Sequence, residues 1–119
     1  MTIQRFEDIQ GWQKAREIVR VIYEVSSKEY FLKDRELREQ IRSASISIMS
    51  NIAEGFDSST KPEFARFLGI SRRSASEVQS QLYIALDLGY IKQEQFDFLY
   101  KEVETVRKII TGFIKYLKK

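Results

Sequence analysis

The segment FDFLYKEVETVRKIITGFIKYL, from Phe96 to Leu117, decides the fold of this chain. Apolar side chains recur in it at alternating steps of three and four residues. They are Phe96, Leu99, Val103, Val106, Ile110, Phe113 and Leu117. This seven-residue period is typical of helices that pack side by side at a shallow angle. The pattern places Val106 and Ile110 in a core, whereas Glu104 and Lys108 are expected to face water.

A first helix is predicted from Glu7 to Ser26. Its apolar side chains with helical spacing are Trp12, Ala15, Val19, Ile22 and Tyr23. We expect them to face the core. The break that follows holds Tyr30, Phe31 and Leu32. This apolar group is expected to cover one end of the fold.

The second and third helices have recognisable ends. The second is predicted from the N-cap Asp34 to Gly55, a C-terminal stop. Its apolar positions are Leu37, Ile41, Ala44, Ile48 and Ile52. The third begins at the capping box formed by Thr60 and Glu63 and stops at Gly89. Its apolar positions are Phe64, Phe67, Leu68, Ala75, Val78, Leu82, Ala85 and Leu88.

Four helices joined by short connections predict an all-α fold, an antiparallel up-and-down four-helix bundle. The 119 residues fit one domain, residues 1–119. The chain contains one proline and five glycines, too few for the many turns of a β-sandwich.

The composition argues against most enzyme classes. The chain contains no cysteine and no histidine, which excludes Ser-His-Asp and Cys-His catalysis and zinc sites with those ligands. We therefore expect a protein that is not an enzyme and uses no cofactor or metal. No apolar run approaches the ~20 residues of a membrane span, and Glu7 and Asp8 interrupt any signal-peptide pattern. A cytoplasmic protein without membrane contact is expected.

A resemblance to a known family rests on two stretches. One is Phe6-Glu-Asp together with Trp12-Gln-Lys-Ala15. The other is QIRSASISIMSNIAEG at Gln40–Gly55, followed by Glu63-Phe-Ala-Arg-Phe-Leu68, Ser71-Arg-Arg-Ser74 and Glu77. Together they resemble the four-helix bundle family encoded by intervening sequences of bacterial large-subunit (23S) rRNA genes. This family was once labelled a ribosomal protein and is related to the accessory variability determinant proteins of retroelements.

The resemblance implies a four-helix fold, no known enzymatic activity and ring-shaped homopentamers. A related protein serves the reverse transcriptases of retroelements as a nucleic-acid-binding subunit. The chain departs from the family pattern at three positions. Met49 replaces a frequent proline, which predicts a straighter second helix; Arg73 replaces a glycine, and Gly11 replaces a bulkier residue.

Basic residues form the candidate nucleic-acid surface. The net charge is +3, and the segment from Arg107 to Lys119 contains five basic residues and no acidic residue. The candidates are Arg107, Lys108, Lys115, Lys118, Lys119, Arg72 and Arg73. Cations at the end of a helix also complement its dipole, which is the alternative interpretation. No base-reading motif accompanies these residues, so a nucleic-acid role would be directed to the backbone with low sequence specificity.

A second group of polar residues has two interpretations. Asn51 and Glu54 share a face of the second helix, and Arg72, Ser74 and Glu77 lie in the middle of the third. We favour a structural network in which Glu54 accepts from Arg72 or Ser74 and Asn51 caps or bridges helices, because buried charges need partners. A catalytic carboxylate is the alternative, but it would need a nucleophile or metal beside it.

Apolar residues outside the core pattern suggest a subunit interface. The candidates are Tyr83, Phe98, Ile109 and Tyr116. Scattered exposed apolar residues are also ordinary. The leading hypothesis is a non-catalytic homo-oligomer, pentameric by resemblance, that contacts RNA or DNA through basic surfaces. The alternative is an adaptor that binds another protein and has no nucleic-acid role.

Overall fold

The computed structural model describes residues 2–119, and every element in that range is helical. A 3-10 turn at Phe6–Asp8 is followed by five α-helices. These are α1 (Gln10–Ser26), α2 (Glu29–Lys33), α3 (Arg35–Phe56), α4 (Lys61–Asp87) and α5 (Gln93–Leu117). The four long helices form a rod of 45 × 22 × 19 Å. The predicted all-α class is confirmed, with α2 as a short additional helix.

Contacts between the long helices show their directions. In each pair of neighbouring helices, residues near the start of one helix contact residues near the end of the other. The contacts are Ser26–Arg42 and Gly11–Ile52 for α1 and α3, Ser47–Ser74 and Gly55–Phe64 for α3 and α4, Gln79–Glu104 and Arg72–Thr111 for α4 and α5, and Lys14–Glu102 and Gly11–Ile109 for α1 and α5. The bundle is therefore antiparallel and closes with α5 packed against α1.

The core contains most of the predicted positions of α3, α4 and α5. All five predicted positions of α3 are buried, and Phe96, Leu99, Val103, Val106 and Ile110 are buried on α5. On α4, the predicted Phe64 and Phe67 are half-buried, and Leu88 is 55% exposed because it lies just beyond the last turn of the helix.

The inward face of α1 differs from the prediction. Gly11, Ala15, Ile18, Ile22 and Val25 are buried there and follow the same three-and-four spacing. The predicted Trp12 and Val19 are half-buried, and Tyr23 is exposed. Both sets have helical periodicity, and the set with smaller side chains fits between the neighbouring helices.

Two predicted helix starts are present. The Asp34 carboxylate accepts a hydrogen bond from the backbone N–H of Leu37 over 3.1 Å. The Thr60 hydroxyl accepts from the backbone N–H of Glu63 over 3.2 Å, while the Glu63 carboxylate pairs with Arg66. These side chains satisfy N–H groups that a helix start leaves without partners.

Gly55 does not stop the second long helix, as the sequence had suggested. Helix α3 continues through it to Phe56, and it also runs without interruption through Met49. A Cβ atom at Gly55 would lie 2.8 Å from Cδ1 of Phe64 and 3.0 Å from Cβ of Phe67. Glycine is needed here because α3 and α4 approach each other closely.

The other end of the bundle is closed by Phe31. This side chain of α2 is fully buried and stacks on Tyr90 with ring centroids 5.3 Å apart. The Tyr90 hydroxyl donates to Asp34 over 2.9 Å. Tyr30 is 69% exposed and Leu32 is also exposed, so only one residue of the predicted apolar group covers the core.

Candidate functional site

Three lysines share the outward face of α5, and a fourth follows just beyond the end of the helix. Lys101, Lys108 and Lys115 are seven residues apart, Lys119 follows four residues later, and all four side chains are exposed. We call this set the lysine face. With a rise of 1.5 Å per residue, its helical part from Lys101 to Lys115 extends over about 21 Å. Within residues 2–119 none of its four ammonium groups forms an ion pair.

Two acids in the middle of α5 form hydrogen bonds across the seams with its neighbours. Glu102 turns towards α1, where its carboxylate accepts from Lys14 Nζ over 3.0 Å. Glu104 turns towards α4, where it accepts from Gln79 Nε2 over 3.0 Å and from Arg107 over 2.9 Å. Two acids of α5, Glu102 and Glu104, are therefore bonded in the seams with its neighbours, whereas Glu94 and Asp97 nearer its start are exposed, as are the lysines.

Arg107 and Lys108 are adjacent in sequence but have different surroundings. The Arg107 guanidinium pairs with Glu104, lies 3.5 Å from the Gln79 side-chain oxygen and is only about one-third exposed. Hydrogen bonds from Gln79 and then from Arg107 lower the pKa of Glu104. Glu104 was expected to face water; about one-third of its side chain is exposed, while its carboxylate forms hydrogen bonds across the seam. Arg107 lies in the same seam between α4 and α5, so we do not count it in the lysine face.

Arg72 lies beside the lysine face. Its Nη1 donates to the Thr111 hydroxyl on α5 over 3.3 Å. Thr111 is three residues after Lys108 and four before Lys115, so these side chains are neighbours on the helix surface. A guanidinium, a hydroxyl and two ammonium groups therefore lie close together at this point of α5.

The remaining predicted basic residues are more dispersed. Arg73 is exposed on α4. Lys118 lines a groove between the start of α4 and the end of α5, beside Lys61 and Arg66. Sequence reasoning missed Lys101, because only the bases from Arg107 onwards were grouped. Its spacing of seven residues from Lys108 was the available signal.

The predicted structural network is only partly assembled. Asn51 donates to the backbone oxygen and to the hydroxyl of Ser47 over 2.9 and 3.0 Å, and the Ser47 hydroxyl lies 2.8 Å from that of Ser74. This chain of contacts links α3 to α4. Ser47 was absent from the prediction.

The charged members of that network are placed elsewhere. Glu54 and Glu77 are exposed. Arg72 donates to Thr111 and Ser74 contacts Ser47, so the expected contact from either of them to Glu54 is wrong. Within residues 2–119 the structure brings no group of three or more acidic side chains together in a way that could hold a metal ion.

Three of the predicted interface residues lie along one edge of α5. Phe98, Ile109 and Tyr116 follow each other at steps of eleven and seven residues, on the side that faces α1. Phe98 is 54% exposed and Tyr116 is 68% exposed. Ile109 is half-buried and packs beside Gly11. We call these three residues the α1-facing edge.

Tyr83 is not part of that edge. It lies on α4, and its ring packs against Phe96 at 4.9 Å and Tyr100 at 5.9 Å between centroids. This contact is on the opposite side of α5. About half of Tyr83 remains exposed, but the structure does not unite it with Phe98 or Tyr116 in one patch.

Comparisons with known proteins agree with this architecture. A similar crystal structure is that of a protein with unknown function from the S23 ribosomal protein family of Bacteroides thetaiotaomicron VPI-5482. The two chains are 24% identical, the match covers 88% of this chain and 95% of that chain, and the TM-score is 0.80. At this identity the likeness shows a common fold.

No curated protein matches the chain significantly. None of the helices in residues 2–119 combines the length and the apolar character that crossing a membrane requires. A family model described as 23S rRNA-intervening sequence protein matches residues 7–112, which is most of the chain. The chain therefore belongs to the 23S rRNA-intervening sequence protein family.

Proposed function

We propose that this protein is a non-catalytic module that assembles with copies of itself and binds RNA or DNA through the lysine face of α5. The observation that carries the proposal is the separation of charges on this helix. Glu102 and Glu104 are paired in the seams with α1 and α4, whereas Lys108 and Lys115 are exposed and form no ion pair with any acid in residues 2–119.

A row of solvated ammonium groups favours a partner with closely spaced negative charges. Nucleic-acid backbones carry such charges, and each lysine that neutralises a phosphate releases a condensed counterion. Lysine acts on phosphate as a point charge and reads no base by itself. The proposed binding is therefore directed to the backbone and has low sequence specificity.

The α1-facing edge supports the assembly part of the proposal. Phe98 and Tyr116 are large apolar side chains that are more than half exposed on one side of a regular helix. Contact between copies through this edge would remove them from water, which is the usual driving force for association. Each added copy would also contribute its own lysine face, so the modest charge of +3 per chain would be multiplied.

The test compares two double variants that remove the same charge. Lys108→Gln with Lys115→Gln changes the lysine face; Lys28→Gln with Lys33→Gln changes two exposed lysines at the far end of the bundle. Fluorescence anisotropy with labelled RNA and DNA should show a loss of affinity of about ten-fold or more for the first pair. The second pair should bind nearly as the wild type does.

The alternative function has a distinct outcome in the same experiment. If the wild type binds neither RNA nor DNA at low salt while its assembly is intact, the nucleic-acid proposal is wrong. The adaptor hypothesis, in which the protein binds another protein, would then replace it. Equal losses for both double variants would also contradict the proposal, because affinity would depend on net charge and not on the lysine face.

A further inference from the structure

We infer that the lysine face binds the phosphates of a double-stranded nucleic acid and not the bases of a single strand. This inference rests on the proposed function and names its substrate class. It follows from three features of α5 and α4: the residues between the lysines, the spacing of the lysines, and the position of Arg72.

The residues between the lysines are small. Thr105 lies between Lys101 and Lys108 on the outward face, and Gly112 lies between Lys108 and Lys115. Proteins that bind single strands without sequence preference stack bases on aromatic side chains set along a basic groove. A helix surface of lysine, threonine and glycine offers phosphate ligands but no platform for a base.

The aromatic residues of α5 lie to either side of the row. Phe98 and Tyr116 belong to the α1-facing edge, and Tyr100 packs in the seam with Tyr83 of α4. On the helix, Phe98 and Tyr116 point about 80° away from Lys108, given 3.6 residues per turn. In the middle of the row, around Lys108, a strand therefore has no exposed ring directly beneath its bases; Phe98 and Tyr116 flank only the two ends of the row, beside Lys101 and Lys115.

The spacing of the lysines suits a stiff rod with grooves. Successive lysines of the heptad are about 10.5 Å apart along α5, close to the ~12 Å width of the major groove of B-form DNA. Two such lysines can reach phosphates on both sides of a groove. A duplex is straight over the ~21 Å from Lys101 to Lys115, whereas a flexible single strand must lose conformational entropy to follow it.

Arg72 adds a second type of phosphate ligand at the centre of the row. One of its guanidinium nitrogens donates to Thr111 over 3.3 Å, which holds the group beside Lys108 and Lys115. Arginine has five N–H donors in a planar fork, so donors remain for a phosphate oxygen. Phosphate contacts of this kind set the position of a protein on a duplex without reading sequence.

The first test compares substrates with equal charge. The probes are a duplex of about 20 base pairs and an unstructured strand of about 40 nucleotides, which carry the same number of phosphates. Both RNA and DNA duplexes are used, so that the two sources of the backbone are distinguished. We expect the wild type to bind at least one duplex about ten-fold more tightly than the strand of the same sugar. Equal or tighter binding to the strands would overturn the inference.

A large side chain at Gly112 is expected to change the binding affinity in opposite directions for the two substrate classes. Gly112 is exposed and a Cβ atom at this position meets nothing within 4 Å, so an added side chain starts into open space. In Gly112→Trp the indole would hold a rigid duplex away from the lysines and weaken binding. For a single strand the same indole would be a stacking platform and strengthen binding.

Gly112→Ala is the matched control for this change, since it adds a methyl group that does not project beyond the lysines. Unchanged duplex affinity for Gly112→Ala with a loss of several-fold for Gly112→Trp is the expected result. Tighter duplex binding by Gly112→Trp would contradict the inference. These outcomes differ from failure of the proposed function, in which the wild type binds neither duplex nor strand.

Discussion

Gln79 of α4 donates from Nε2 to the Glu104 carboxylate of α5 over 3.0 Å, in a seam where only 6% of Gln79 is exposed. The contact holds an acidic side chain of α5 against α4, and Arg107 binds the same carboxylate from one turn further along. The two hydrogen bonds draw this carboxylate towards α4, although about one-third of the side chain stays exposed. Beyond Asp97, the most exposed charged residues of α5 are all lysines.

The Gln79–Glu104 contact predicts a dependence of stability on pH. Its hydrogen bonds lower the pKa of Glu104 from 4.5, so the folded state favours the ionised form. The resulting stabilisation is present above pH 4.5 and is lost as the pH falls through the lowered pKa. At neutral pH, Glu104→Gln should lower the free energy of unfolding by about 1 kcal/mol. This is less than the loss of a fully buried charged hydrogen bond, because the Glu104 side chain is one-third exposed.

Urea unfolding of the wild type and of Glu104→Gln at pH 7 and pH 3 measures this difference. The difference in the free energy of unfolding between the wild type and Glu104→Gln should be larger at pH 7 than at pH 3. A gap of the same size at both pH values would show that the carboxylate's charge does not contribute.

Two glycines in helix interiors should respond in opposite ways to alanine. Gly55→Ala places a Cβ atom 3.0 Å from Cβ of Phe67, which is too close to its backbone to move away easily. Overpacking of this kind costs about 1–3 kcal/mol. Gly112→Ala enters open space and should stabilise the bundle by about 0.5–1 kcal/mol, since alanine is the better helix former.

Thermal unfolding followed by circular dichroism separates the two glycine variants. Gly69→Ala is a further control, because Gly69 lies in α4 and its added Cβ atom, like that at Gly112, meets nothing within 4 Å. An increase in the melting temperature for Gly55→Ala would mean that α3 and α4 do not approach as closely as described.

Self-association should depend on the α1-facing edge. Replacing Phe98 and Tyr116 with glutamate puts charges into the proposed contact between copies, where they would lose hydration without a partner. Light scattering of a size-exclusion peak should then show a smaller assembly than the wild type forms. Tyr83→Glu is the control, because Tyr83 lies on the other side of α5 and should leave the mass unchanged. A monomeric wild type at tens of micromolar protein would remove the assembly proposal.

The sequence was most informative where one helix has a single apolar stripe. In α5 the regular period placed Val103, Val106 and Ile110 in the core, where the structure has them. In α1 two stripes overlap in sequence, and the aromatic residues Trp12 and Tyr23 favoured the wrong one. Which stripe is buried depends on the space between α3 and α5, and the sequence of α1 alone does not contain that information.

In the candidate site, too, the sequence alone did not determine where individual side chains lie. Arg107 and Lys108 have the same sign of charge and are neighbours in the chain, yet a rotation of about 100° per residue puts one in the α4 seam and the other in solvent. The sequence interpretation assigned both residues to one basic surface, whereas the structure places them in different surroundings. Besides Arg107, the partner of Glu104 is Gln79, which is 25 residues away, so no local pattern could indicate it.

The salt dependence of nucleic-acid binding tests the central claim most directly. The measurement is the slope of log K against log salt for the wild type and for a variant with Lys108, Lys115 and Lys119 replaced by glutamine. Each lost phosphate contact removes about 0.7–0.9 from the magnitude of the slope. If the lysine face holds the backbone, the slope should become shallower by about 2–3 while the melting temperature stays unchanged. An unchanged slope in a folded variant would show that these lysines do not contact nucleic acid.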